Sequence, residues 1–180
     1  MSTAQTPITQ FSIVSMMSDD LVSSFNALPR KPRGPIGRVS NEWHFDLRYV
    51  HLEPTPSHVV FILHPQLQFT HVARLPLGVP NDSSGITFFP ESGLEAASEV
   101  SRSLLHIFVN NLDWNYKPHI NAIPPFAPWK LTTMDKTLAA AVGAEFQNLG
   151  IRAKELHKIG VSSPSLNRGD DKNSNSGIIL

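Results

Sequence analysis

The sequence predicts an α/β domain of the α+β kind. A three-stranded antiparallel meander is followed by two helices and one or two short strands, and the helices pack on the sheet. Three observations predict it. The stretch Trp43–Leu77 has strand-like alternation and is broken by proline-containing turns. Gly93–Val109 repeats apolar residues every three or four positions. Met134–Leu149 does the same and stops at Gly150.

Residues 1–40 read as a flexible N-terminal segment. Within it, Asp19–Leu28 has the spacing of a short amphipathic helix, with Leu21, Val22, Phe25 and Leu28 on one side. Pro29-Arg30-Lys31-Pro32-Arg33-Gly34-Pro35-Ile36-Gly37-Arg38 follows. Its prolines and glycines forbid regular structure. It reads as a linker, or as a basic docking motif suited to an acidic groove.

Residues 41–163 read as a single domain. The first strand is Trp43–Val50, with Trp43, Phe45, Leu47 and Tyr49 on one face and His44, Asp46, Arg48 and Val50 on the other. Pro54 and Pro56 end it. The second strand, His58–His64, is nearly all apolar and reads as central and covered on both faces. The third is Leu67–Leu77, and short connections make the three antiparallel. Gly78–Ser92 is a loop that ends at a helix N-cap, Ser92. Leu94, Ala97, Val100, Leu104, Ile107 and Phe108 form the apolar stripe of the helix Gly93–Val109.

Asn110–Pro128 is an irregular crossover, and Trp129–Leu131 reads as a short edge strand after Pro128. Thr132 or Thr133 caps the second helix, Met134–Leu149, whose core positions are Leu138, Val142, Phe146 and Leu149. A last short strand is placed near Leu156–Val161 by Ile159, Gly160 and Val161. Residues 164–180 are polar, rich in Ser and Asn, and read as a disordered tail.

Composition excludes several functions. There are 15 Lys+Arg and 15 Asp+Glu, a net charge of zero, so no overall field favours nucleic acid or a membrane surface. The absence of cysteine removes disulfides, thiolate catalysis and zinc ribbons. The N-terminus lacks the basic and apolar regions of a secretory signal, and no stretch has the roughly 20 apolar residues of a membrane span. An intracellular protein, cytoplasmic or nuclear, is expected.

Candidate chemistry is sparse. His44, His51, His58, His64 and His71 recur at steps of six or seven, without an HxxxH or HExxH spacing. They read as strand-face residues, and neither a metal nor a cofactor is expected. There is no G-x-S-x-G elbow and no glycine-rich phosphate loop. Asp46 on the first strand and Asp135 before the second helix are the candidate catalytic pair, since two carboxylates at a sheet edge can hold Mg²⁺. With Trp43-x-x-Asp46 on a first strand, the pattern looks like the ribonuclease-H and retroviral-integrase type of fold. That fold implies a third carboxylate on a later helix, for which Glu145 and Glu155 are the candidates. The aromatics of the crossover, Trp114, Tyr116, Phe126 and Trp129, are the candidate binding residues. Proline-spaced aromatics form either a lid over the core or an exposed recognition surface.

Pro124–Val161, PPFAPWKLTTMDKTLAAAVGAEFQNLGIRAKELHKIGV, resembles an uncharacterised domain of fungal, largely basidiomycete, proteins that often accompanies a MYND-type zinc finger. Pro128-Trp129, Thr132-Thr133-Met134-Asp135, Leu149-Gly150-Ile151 and Leu156-His157-Lys158-Ile159-Gly160-Val161 carry the likeness. Trp43 and the hairpin His58–Leu77 fit less distinctively. The finger itself is absent, so zinc binding does not carry over. The resemblance implies a non-catalytic accessory or protein-interaction domain with an unidentified protein partner. It also implies further helix beyond Val161, in place of which this chain has its polar tail, as in a shortened version of the family.

Overall fold

The computed structural model describes residues 10–34, 38–51, 56–67, 69–77, 88–110 and 124–162, with side chains from residue 19 onward. The elements run α1 (Gln10–Ala27), β1 (Glu42–Val50), β2 (Ser57–His64), β3 (Phe69–Arg74), α2 (Gly93–Val109), β4 (Lys130–Thr133), α3 (Lys136–Asn148), a 3-10 turn (Lys154–His157) and β5 (Gly160–Val161).

The strands form one mixed sheet in the order β3-β2-β1-β4-β5. The first three make the antiparallel meander, with Phe45 opposite Ile62 and Val60 opposite Ala73. β4 runs parallel to β1, setting Trp43 beside Leu131, and β5 runs parallel to β4. Parallel neighbours need a long crossover, and α2 and α3 supply the helices of the two that are required. The strand expected at Trp129–Leu131 is therefore interior, between β1 and β5, rather than an edge. Pro128 lies outside its ladder, and the Trp129 and Lys130 amides both donate to the Asn41 carbonyl.

Register assigns the core to one face of the sheet. Trp43, Phe45, Val60, Ile62 and Leu131 share that face and pack with Phe25, Leu104, Phe108, Leu138 and Phe146 from the three helices. Trp43 is 1% exposed and meets Phe108, Phe69 and His64 edge-on. Each fully buried Phe or Leu here stabilises the fold by roughly 1.5–3 kcal/mol. Phe25 belongs to this core, with Leu21, Val22 and Leu28 against it, so the packed unit takes in residues before position 41.

The opposite face carries His44, Asp46, Arg48, Phe61, Leu63, Thr70, Val72, Arg74 and Thr132. None of these joins the core. β2 was expected to be covered on both faces; on this face Ser57 and Val59 are buried, but Phe61 and Leu63 are only half-buried. All three helices went to the other side.

Helix ends follow their chemistry. The Ser92 hydroxyl accepts from Glu95 N at 3.4 Å, and the Glu95 carboxylate accepts from Glu91 N at 2.9 Å. Leu94, expected in the stripe, is 71% exposed: the first turn meets α3 through Gly93, where a Cβ would stand 2.8 Å from Leu138 N, and through the buried Ala96 and Ala97. The cap of α3 is Asp135, not Thr132 or Thr133, since both threonines belong to β4. Asp135 Oδ1 accepts from Thr137 N at 2.7 Å and Leu138 N at 3.0 Å. Gly150 follows the α3 C-cap with φ +78°. A Cβ at Gly143 would stand 2.5 Å from the His157 carbonyl oxygen, so only glycine lets α3 approach the 3-10 turn this closely. That turn also takes the first residues of the strand expected at Leu156–Val161, leaving β5 as Gly160–Val161.

Candidate functional site

Two depressions near the two ends of β1 are the candidate sites. The first is a groove of about 620 Å³ lined by Pro29, Lys31, Pro32, Arg33, Gly34, Asn41, Pro124 and Phe126. Asn41 builds it. The side chain of Asn41, 1% exposed, donates to the Lys31 and Ala127 carbonyls, each at 2.9 Å, and accepts from Trp43 Nε1 at 2.9 Å. Its backbone N–H donates to the Pro32 carbonyl at 2.8 Å. One residue thus ties the Pro29–Gly34 segment, the end of the crossover and the first strand together. Prolines in the segment offer no N–H, and the side-chain amide adds to the few backbone hydrogen bonds that hold it, Gly34 N to the Val39 carbonyl and Ala127 N to the Pro29 carbonyl among them.

Arg30 completes the corner from outside the groove. Its guanidinium lies 4.2 Å from the Trp129 ring centroid, donates to the Pro128 and Trp129 carbonyls, and pairs with Glu155 at 3.0 Å. The Glu155 carboxyl is held below its ordinary pKa, first by a backbone hydrogen bond and then by Arg30. Phe126 is 6% exposed and packs on Trp43 and Phe108, while Trp129 is half-buried under Arg30. Both serve as a lid, and Phe126 also lends the groove an apolar wall. Trp114 and Tyr116 lie outside the described residues.

The second depression is a shallow cleft at the open end of β4. On β1, β4 reaches only Glu42–His44, so the next residues of β1 border a hollow lined by Asp46, Leu47, Arg48, Tyr49, Met134 and Asp135. A smaller hollow of about 270 Å³ adjoins it on the sheet face that carries no helix, lined by His44, Asp46, Phe61, Leu63, Thr70 and Met134 among others. The structure therefore brings Asp46 and Asp135 to one cleft. Both carboxylates are already engaged. Asp46 Oδ2 accepts from Arg48 at 2.7 and 2.6 Å, and Asp135 Oδ1 is the helix cap. Neither Glu145 nor Glu155 lines the cleft. No group of three or more His, Cys, Asp or Glu side chains suited to a metal ion exists among the described residues.

The histidines have structural partners. His64 Nε2 lies 2.7 Å from the Ser40 carbonyl, and its Nδ1 accepts from Gln66 N at 3.2 Å, which fixes the neutral Nε2–H form. Burial lowers its pKa. His44 Nδ1 meets Thr132 Oγ1 at 3.0 Å, and burial lowers its pKa against an opposing pull from Asp46. His58 Nδ1 lies 2.9 Å from the Phe88 carbonyl. His51 is exposed at the end of β1, with its ring against Tyr49. His71 shares the core-side face of β3 with Phe69 and Ala73.

Sequence reasoning missed Asn41. The usable signal was an asparagine placed between a proline-rich run and a strand that opens on tryptophan. It also treated Pro29–Gly34 as separate from Phe126, although the two face one groove.

No protein-family model, curated protein or solved structure matches the chain. No helix among the described residues is long and apolar enough to cross a membrane.

Proposed function

We propose that the chain is a non-catalytic interaction or accessory module that docks a protein partner in the groove between Pro29–Gly34 and Pro124–Phe126. The observation that carries this reading is the groove itself. Its volume lies within the range of pockets that hold a ligand-sized group, and its walls are prolines and an aromatic ring fixed by the buried Asn41. The likeness to the fungal domain that accompanies MYND-type fingers supports the same reading, and a cysteine-free chain suits an intracellular, cytoplasmic or nuclear, setting.

A blocking variant tests it. A Cβ at Gly34 would make only ordinary contact, 3.8 Å from Val39 Cγ2, and Gly34 has no positive φ. Gly34→Trp is therefore expected to fold and to fill the groove. Affinity capture with the full chain should recover partners that Gly34→Trp loses. Recovery of the same partners by both would remove the groove from the account.

A second reading is a divergent metal-dependent nuclease-like fold using Asp46 and Asp135. One observation favours it: a central β1 flanked by antiparallel β2 and parallel β4 puts both acids at one cleft, as the ribonuclease-H type of fold would need. Against it stand the engaged carboxylates and the missing third acid. Isothermal titration with Mg²⁺ and Mn²⁺ decides, because this reading requires binding that Asp46→Asn abolishes.

A further inference from the structure

We infer that the occupant of the groove is an acidic peptide in extended conformation that seats an apolar side chain between the prolines. The inference rests on the docking reading above and adds the chemistry of the partner.

Charge is the first argument. Residues 29–41 contain Arg30, Lys31, Arg33 and Arg38 and no acid, in a chain of zero net charge. Arg30 is committed to Glu155 and the two carbonyls. Lys31, Arg33 and Arg38 are exposed, and no carboxylate among the described residues pairs with them. Lys31 and Arg33 stand on the groove wall itself, and no acidic residue among the described residues lines the groove. An unneutralised basic rim over an apolar floor selects a ligand with acidic flanks and an apolar centre.

Backbone geometry is the second. Arg33 forms an isolated antiparallel bridge with Ser40. The hydrogen bonds of that bridge run from Gly34 N to the Val39 carbonyl at 3.0 Å and from Asn41 N to the Pro32 carbonyl at 2.8 Å. Arg33 is thus in a non-hydrogen-bonded pair, and its own N–H and C=O point away from Ser40. They offer one donor and one acceptor to the backbone of an extended ligand.

A nucleic acid is the other polyanion to weigh, and the walls disfavour it. Phe126 is only 6% exposed beside Trp43, so a base would find little ring surface to stack on, and stacking is what separates a nucleic acid from an acidic peptide at the Lys31 and Arg33 cations.

The test is selection of a randomised twelve-residue peptide library, displayed on phage, against the immobilised full chain. Enriched peptides should be rich in Asp and Glu around a Leu, Ile or Phe. Their affinity should fall about tenfold in the double variant Lys31→Glu, Arg33→Glu, equivalent to about 1.4 kcal/mol, and should fall with added salt. Both positions are exposed, so the fold should survive, and an unchanged unfolding curve confirms it. Enrichment of neutral or basic peptides that Gly34→Trp loses would overturn the acidic assignment and leave the docking reading standing. Enrichment of nothing would count against both. Tighter binding of a single-stranded oligonucleotide than of any selected peptide would overturn the inference in favour of nucleic acid.

Discussion

The groove beside Asn41 and the cleft beside Asp46 lie near the two ends of one strand, yet their polar groups are used in opposite ways. Around Asn41 the polar atoms are buried and spent on the scaffold, and no carboxylate among the described residues pairs with the rim charges Lys31 and Arg33. Around Asp46 the carboxylates are accessible but already paired, one to an exposed arginine and one to a helix terminus. A site that must bind something keeps its rim groups uncommitted. A sheet end that only has to stay soluble and capped does not. On the proposed reading, binding belongs to the groove and structural work to the cleft.

The largest expected effect that would break this comparison is on Asn41. Asn41→Ala leaves Trp43 Nε1 and the Lys31 and Ala127 carbonyls without their partner. Each buried orphan costs about 1–3 kcal/mol, so a loss of about 3 kcal/mol or more is expected in urea unfolding. A loss under about 1 kcal/mol would mean that the corner is wet and the groove is not preformed. The cap is next. Asp135→Ala should cost about 1 kcal/mol, measured in the same way, with Asp135→Ser recovering most of it. If Asp135→Ala is neutral or stabilising, Asp135 is not serving the helix, and the metal-site reading gains.

Protonation sharpens the comparison further. His64 holds the Ser40 carbonyl beside the groove segment, and His44 lies under the cleft; burial depresses both pKa values. Well above pH 6.5 both histidines are neutral folded and unfolded, and they make no pH-dependent contribution. As pH falls past 6.5, the ordinary value, the unfolded chain takes up protons that the fold resists. Stability therefore declines until the lowered folded pKa values are passed. Urea midpoints from pH 7.5 down to 5.5 should fall, and less so in His64→Gln. Midpoints that rise over this interval would contradict the neutral, hydrogen-bonded His64. The smallest effect is Asp46→Asn, which breaks only a pair with a largely exposed Arg48 and should change stability by less than about 0.5 kcal/mol.

Much of the fold was legible where local chemistry decides it. Ser92 and Gly150 mark helix ends by capping and by glycine's conformational freedom, and the alternation of Trp43, Phe45 and Leu47 names the buried face of β1. What was not legible depended on distant partners. Lys130–Thr133 is too short to carry a period, and only its pairing with Glu42–His44 makes it an interior strand. Thr132 and Thr133 looked like caps because their place in that strand was hidden, which moved the cap away from Asp135. The site was legible in halves. The basic proline run and Phe126 each stood out by composition, but nothing local shows that residues some ninety positions apart share one groove or that Asn41 joins them.

The central claim, that binding belongs to the groove and not to the cleft, is tested most directly by mapping amide chemical shifts of the full chain as a selected acidic peptide is added. Shifts concentrated at Lys31, Arg33, Gly34, Asn41 and Phe126, with Asp46–Tyr49 and Met134–Asp135 unmoved, are the predicted result. Shifts concentrated at Asp46–Tyr49 and Met134–Asp135, with the groove silent, would contradict it.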